Sequence, residues 1–158
     1  TDIVDRILPA EKVGDLPEGT VVYTKDKSGY TETYGQDDGK QINCPIVVLV
    51  DENSASASEI FAGAMKDYTE DGYIDATLVG TTTFGKGIVQ TIYPLEDGDA
   101  VKITTSKYYT PNGNNRHGVG IDPDVEIEYE YTGDKNADYD MQYDNQLQKA
   151  IEVMNEKL

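Results

Sequence analysis

Three serines, Ser54, Ser56 and Ser58, alternate with Ala55 and Ala57 at the end of an apolar run, Ile46-Val-Val-Leu-Val50. A helical pattern begins immediately after them. A hydroxyl placed there sits among unpaired backbone N–H groups at the positive end of a helix dipole. Such donors can hold an oxyanion beside an attacking oxygen, and the small Ala55 and Ala57 leave room for a substrate. The same residues carry a structural explanation. Ser56 opens Ser-Ala-Ser-Glu59, the spacing of a capping box, and an N-cap serine is worth about 1 kcal/mol without any chemistry.

A serine nucleophile needs a base. His117, the sole histidine, lies in a glycine-rich loop that suits a buried base poorly. Lys86, between Gly85 and Gly87, is the better candidate. It can act only when neutral, so its pKa must fall from about 10.4 toward 7. Burial beside Phe84, Ile88 and Val89 would drive that fall, and Gln90 could hydrogen-bond the amine and hold it in line. A solvated turn lysine is the structural alternative. The run Gly80-Thr-Thr-Thr-Phe-Gly-Lys-Gly87 also approaches the phosphate-binding pattern G-x-x-x-x-G-K-[ST]. Gly87 replaces its metal-ligating hydroxyl, and a strand pattern follows where that motif requires a helix.

The 158 residues suffice for one domain. A net charge of -17 argues against nucleic acid and against electrostatic docking on anionic lipid. No Asp-x-Asp-x-Asp-Gly calcium loop accompanies that charge. The single cysteine, Cys44, excludes an internal disulfide and reads as a small buried thiol, with no basic neighbour to activate it. No apolar stretch reaches membrane-spanning length, and no signal peptide is visible. The chain starts without methionine and reads as a piece of a longer one.

The elements that must position these residues follow from periodicity. Residues 1–8 have helical spacing, closed by Pro9. Residues 21–24 and 30–34 read as strands around a turn at Gly29. Residues 46–50 suit a strand covered on both faces. Phe61, Ala64, Met65 and Tyr68 form one helical face, residues 69–75 a loop, and residues 77–79 a second buried strand. Strand, helix, strand in this order predicts a parallel crossover. Residues 88–95 and 100–109 flank a turn signal at residues 96–99 and predict a hairpin. Residues 111–115 form a turn, residues 117–125 a loop, and residues 125–130 alternate as a half-exposed strand. Residues 132–140 read as linker. Residues 144–158 read as a helix with Asp144 as N-cap.

Taken in order, Ser54-Ala-Ser-Ala-Ser-Glu-Ile60, Lys66-Asp-Tyr68, Val79-Gly80, Thr83-Phe-Gly-Lys-Gly-Ile-Val-Gln90, Leu95-x-Asp-Gly98, residues 104–111, Gly120-Ile-Asp-Pro-Asp-Val125 and the Gln146–Ala150 tail resemble the carboxy-terminal processing (tail-specific) peptidases. The match runs from about Ile46 to the end and more weakly before it. The resemblance implies an α/β fold, a mixed sheet with flanking helices similar to part of the crotonase/Clp-protease-like core. It implies Ser56 as nucleophile, Lys86 as general base, Gln90 orienting Lys86, the Ala57 backbone N–H as an oxyanion donor and Asp67 as a supporting acid. Ser54 and Ser58 are then structural.

The family's peptide-binding PDZ domain, and the glycine-rich motif that supplies its other oxyanion donor, have no counterpart in these residues. The expectation is therefore a single partial peptidase domain over residues 1–158, with little or no activity alone. The resemblance further implies polypeptide substrates recognised by their C-terminal tails, no metal or organic cofactor and an extracytoplasmic setting. It leaves room for a membrane tether outside this chain and for a homo-oligomer. The rival expectation is a non-catalytic peptide- or ligand-binding module on the same fold.

Overall fold

In a computed structural model, residues 2–9, 16–35 and 41–158 are described. The element order is α1 (Asp2–Asp5), β1 (Thr20–Asp26), β2 (Thr31–Gly35), β3 (Ile46–Val50), α2 (Ala57–Glu70), β4 (Ala76–Gly80), β5 (Ile88–Pro94), β6 (Ala100–Tyr109), β7 (Val125–Glu126) and α3 (Asn145–Lys157). A single 3-10 turn, Met141–Tyr143, leads into α3.

The α/β class and the mixture of strand directions are as expected, and the two directions are segregated. β3, β4 and β7 form a three-stranded sheet in that order, with parallel pairing throughout. β2, β1, β6 and β5 form a four-stranded antiparallel sheet. The predicted crossover is β3–α2–β4, with Ile46 opposite Ala76 and Val50 opposite Gly80.

Helix α2 joins the sheets, packing against β4 on one side and β1 on the other. Ala64, Met65 and Tyr68 are fully buried, as their spacing requires, and meet Val21, Val50 and Leu78 in the main core. Adjacent residues of a strand face opposite sides. Leu78 and Val79 are both inaccessible, so β4 is covered on both faces, and α3 packs over β3 and β4. The α3 N-cap is Asp144, whose carboxylate accepts from the Leu147 N–H at 2.9 Å.

Several expectations are corrected. β3 is an edge among the described residues, and only Val50 of it is buried, with Leu49 44% exposed. An unbroken apolar run therefore does not here mean a strand covered on both faces. β7 is only two residues long, and the Asp124 side chain makes a further contact with β4 just before it. The Asp124 carboxylate accepts from the Leu78 N–H at 2.8 Å and pairs with Lys66 at 3.0 Å. Helix α1 stops at Asp5, while α2 continues to Glu70. Cys44 is exposed, since it precedes β3 in an extended segment that no element covers. The sequence predicts a polar loop over residues 35–40; Gly35 instead ends β2, and residues 36–40 lie outside the described residues.

Gly80 ends β4 and starts the loop that carries Lys86. Its φ is +136°, and a Cβ there would stand 1.8 Å from the Val50 carbonyl oxygen. Gly80→Ala combines a strained backbone with an overlap against the Val50 backbone of β3. It is expected to cost at least about 2 kcal/mol in urea unfolding, and an unchanged midpoint would refute this account of the β3–β4 junction.

Candidate active site

The serine turn is built in two steps. After β3, the Asp51 carboxylate accepts from the Asn53 N–H (3.1 Å), the Ser54 N–H (2.9 Å) and the Ser54 hydroxyl (2.9 Å). Ser54 is therefore spent on the turn. Ser56 then adopts φ +56° and ψ -108°, making it the one non-glycine residue with positive φ among the described residues. Such a conformation is costly for a side-chain-bearing residue and persists only where its surroundings enforce it. Glu59 supplies half of the expected capping box, accepting from the Ser56 N–H at 3.0 Å. The Ser56 side chain faces the Glu59 N–H in the reciprocal position but falls short of a full cap hydrogen bond. The Ala57 N–H, first on the helix, carries no hydrogen bond among the described residues.

Glu59 does more than the capping box suggests. Its side chain is 1% exposed. One carboxylate oxygen accepts from the Thr83 hydroxyl (2.7 Å) and the Gly85 N–H (2.7 Å). The other accepts from the Lys86 N–H (2.8 Å) as well as from Ser56. One buried anion thus ties the serine turn to the lysine loop. Burial pushes its carboxyl upward, and the hydroxyl and three backbone donors outweigh that, so its pKa falls below the ordinary glutamate value. The loop donors that would cradle a phosphate in the near-match motif are occupied by the protein's own carboxylate. β5 rather than a helix follows them. Both features count against the nucleotide reading.

The other side of the lysine loop rests on residues 115–121. The Gly118 N–H donates to the Gly85 carbonyl at 2.8 Å, and the Ile121 N–H donates to Thr83 Oγ1 at 2.8 Å. The Asn115 amide donates to the carbonyls of Gly87 (2.8 Å) and Tyr108 (2.6 Å). The His117 ring lies 3.2 Å from the Gly85 carbonyl, so the sole histidine braces this loop. Gly85, with φ +87°, admits no side chain, because a Cβ would approach the Gly120 nitrogen to 2.9 Å.

Between these supports lies a cavity of about 380 Å³ lined by Ser56, Ile60, Lys86, Ile88, Val89, Gln90, Ile92, Lys102 and Tyr108. Three of the expected site residues, Ser56, Lys86 and Gln90, meet in it. Among the described residues no hydrogen bond joins Gln90 to Lys86. The Gln90 amide instead donates to Thr104 Oγ1 across the hairpin at 3.4 Å. Asp67 does not line the cavity. It is buried on α2, eleven residues beyond Ser56, or roughly 16 Å along the helix. There it accepts from the Asn112 N–H at 2.7 Å and holds the turn after β6. Burial raises its pKa, and the Thr110 and Asn112 donors only partly offset this. A larger cavity, about 570 Å³ and lined by Tyr129, Tyr131 and Tyr139, carries none of these residues.

Tyr108 was not anticipated. Its hydroxyl donates to the Ser56 carbonyl at 3.4 Å, and burial next to Glu59 raises its pKa strongly. It braces the strained serine from the antiparallel sheet. The sequence signal was available in the Tyr-Tyr-Thr-Pro run of residues 108–111, but nothing local marks one tyrosine for a turn fifty residues away.

Glu59→Gln keeps the shape and removes the anion, leaving four donors facing an amide that cannot accept from all of them. A loss of about 2–4 kcal/mol at pH 7 is expected. Because the folded-state pKa of Glu59 is lowered, its contribution is fully present above the ordinary value of 4.5. It disappears as pH falls through the folded value below that. Urea unfolding of both proteins between pH 7 and 3 should show their difference shrinking on the acid side. A difference that stays constant would show that the charge of Glu59 is not what holds the two loops together.

The sequence profile of peptidase family S41 matches residues 12–127. The chain is 43% identical over 113 residues to the carboxyl-terminal-processing protease of Synechocystis sp., covering 72% of this chain and 25% of that protein. It resembles the structure of a photosystem II D1 C-terminal processing protease with TM-score 0.65 at 36% identity, covering 79% of this chain and 30% of that one. A lipoprotein from Streptococcus agalactiae shares the fold, with TM-score 0.65 at 17% identity over 98% of this chain and 48% of that one. The chain spans about a quarter of the length of the curated relatives it matches. A buried-carboxylate clasp, a strained serine at a helix start and a family profile over most of the sequence converge on one conclusion: the chain belongs to peptidase family S41.

Proposed function

We propose that this chain forms the catalytic core of a serine peptidase in which Ser56 is the nucleophile and Lys86 the general base. Neutral Lys86 takes the hydroxyl proton as Ser56 Oγ attacks a peptide carbonyl. The protonated amine then passes that proton to the departing amine, and water hydrolyses the resulting acyl-enzyme. The observation that carries the reading is the single cavity shared by Ser56 and Lys86, with Ser56 at φ +56° beside a helix N–H, that of Ala57, which has no partner among the described residues. An unspent donor next to the attacking oxygen is what oxyanion stabilisation requires. Ile60, Ile88 and Ile92 supply apolar lining beside Ser56 and Lys86.

In this reading Gln90 leaves Thr104 and turns its carbonyl to the Lys86 amine when substrate is bound. Asp67 supports the site through the turn at Asn112 rather than by contact. Oxyanion stabilisation of this kind uses a second donor besides the Ala57 N–H, and loss of one such donor costs about 100- to 1,000-fold in rate. By analogy with the names of its relatives, the substrates are polypeptides cut near their C-terminal ends; an extracytoplasmic setting belongs to the same proposal.

A fluorophosphonate serine probe on the protein at its full natural length tests the assignment. Wild type should label, and Ser56→Ala and Lys86→Ala should not. No labelling of the wild type would favour a non-catalytic binding module instead. The labelling rate should fall as acid protonates Lys86, and a rate that is flat from mildly acidic to alkaline pH would rule out a lysine base.

A further inference from the structure

The cavity does not end at the serine. It continues along the β5–β6 hairpin, and the register gives its order. Gln90 stands opposite Thr104, and one rung further out Ile92 stands opposite Lys102. Two residues of strand span about 6.6 Å, the length of two residues of an extended peptide lying alongside. Ile88, Gln90 and Ile92 contribute from β5, and Lys102 and Tyr108 from β6, to one continuous lining that starts at Ser56.

The charge of this lining is unlike that of the molecule. The chain carries 30 acidic and 13 basic residues, yet the cavity is lined by two lysines and by no carboxylate. Along the chain the acids next to Lys102 are Glu96, Asp97 and Asp99 of the hairpin turn, which lie outside this lining, and Glu59 is buried and already accepts four hydrogen bonds. Lys102 takes part in none of the ion pairs among the described residues. Lys102 is exposed at the outer end of a lining that also carries Ser56, Gln90 and Tyr108, where it can offer a charge-assisted hydrogen bond to a carboxylate.

We propose that Lys102 is a specificity-determining residue that takes a carboxylate of the bound peptide. That carboxylate is either an acidic side chain or the terminal α-carboxylate, a few residues from the bond at Ser56. Lys86 is committed to proton transfer with Ser56 in the mechanism above, which leaves Lys102 as the other lysine of the lining. An anionic residue is drawn into a strongly acidic molecule only where a local cation offsets the repulsion, so discrimination between Glu and Gln at one substrate position falls on this side chain. The inference rests on the peptidase reading for the position of the scissile bond, while the preference for a carboxylate follows from the lining alone.

The test uses the Ser56→Ala protein at full natural length and fluorescein-labelled alanine-rich decapeptides, read by anisotropy. The peptides carry a single Glu, Gln or Lys at successive positions, each as free acid and as C-terminal amide. Expected is a preference for Glu over Gln of about 5- to 10-fold at one position, or for acid over amide if the terminal carboxylate is the group bound. The preference should weaken with salt. Lys102→Gln should abolish it, and Lys102→Glu should reverse it in favour of Lys. Equal affinities for all peptides, no measurable binding of any, or a preference unchanged in both Lys102 variants would overturn the proposal. Fluorophosphonate labelling of the wild type separates the two readings. A labelled protein without the preference refutes the role of Lys102 alone, whereas a preference in a protein that does not label refutes the nucleophile assignment alone.

Discussion

One buried carboxylate does most to join the serine turn to the lysine loop. Glu59 accepts short hydrogen bonds from both, and a Phe84 N–H bond to the Ser54 carbonyl at 3.0 Å runs beside it. The elements on either side are fixed by ordinary means, with α2 held by Met65 and Tyr68 in the core and β4 covered on both faces. Their ends, however, are loops, and loops need polar partners when buried. A carboxylate with four donors meets that need for two loops at once. A neutral acceptor in the same place would leave at least one backbone N–H unpaired.

The arrangement also explains why two structural features that look alike in a sequence differ in consequence. The helix N-cap and the glycine-rich loop each resemble an anion site by pattern. At the loop the anion is internal, so its backbone donors are spent. At the helix start, Glu59 takes the Ser56 N–H and leaves that of Ala57. Remaining binding capacity is thereby concentrated at one position beside the Ser56 hydroxyl. Tyr108 and the segment around Asn115 hold the outer faces of the same loops, so the strained serine is supported from both sheets.

Much of this was legible in the residues. The apolar run at 46–50, the periodicity of α2 and the short run at 77–79 gave the parallel crossover, because those signals are local. The turn between residues 95 and 100 likewise marked the β5–β6 hairpin. The gathering of Ser56, Lys86 and Gln90 was reached through the joint order of motifs rather than through any one of them. Missing were the contacts that depend on long-range packing. Glu59 reads locally as a capping residue because its three other partners, Thr83, Gly85 and Lys86, lie far along the chain. Cys44 looked buried because it precedes an apolar strand, but exposure depends on what covers that strand. Asp67 was read as an acid supporting the site. It stands a helix-length away, and only three dimensions reveal that it acts on the turn after β6.

The ladder between β1 and β6 pairs Tyr23 with Tyr109. Serine turn, lysine loop and the first hairpin strand all lie within the span of chain that this ladder closes. Synthesis runs from the N-terminus, and domains fold as their segments emerge. The crossover around α2 can therefore form while β6 is still unmade, but Tyr108 and Asn115 reach their places only later. Until then the Ser56 conformation lacks its outer brace and the Lys86 loop lacks its floor. The geometry is thus latent in a nascent chain until the segment after β6 has been made.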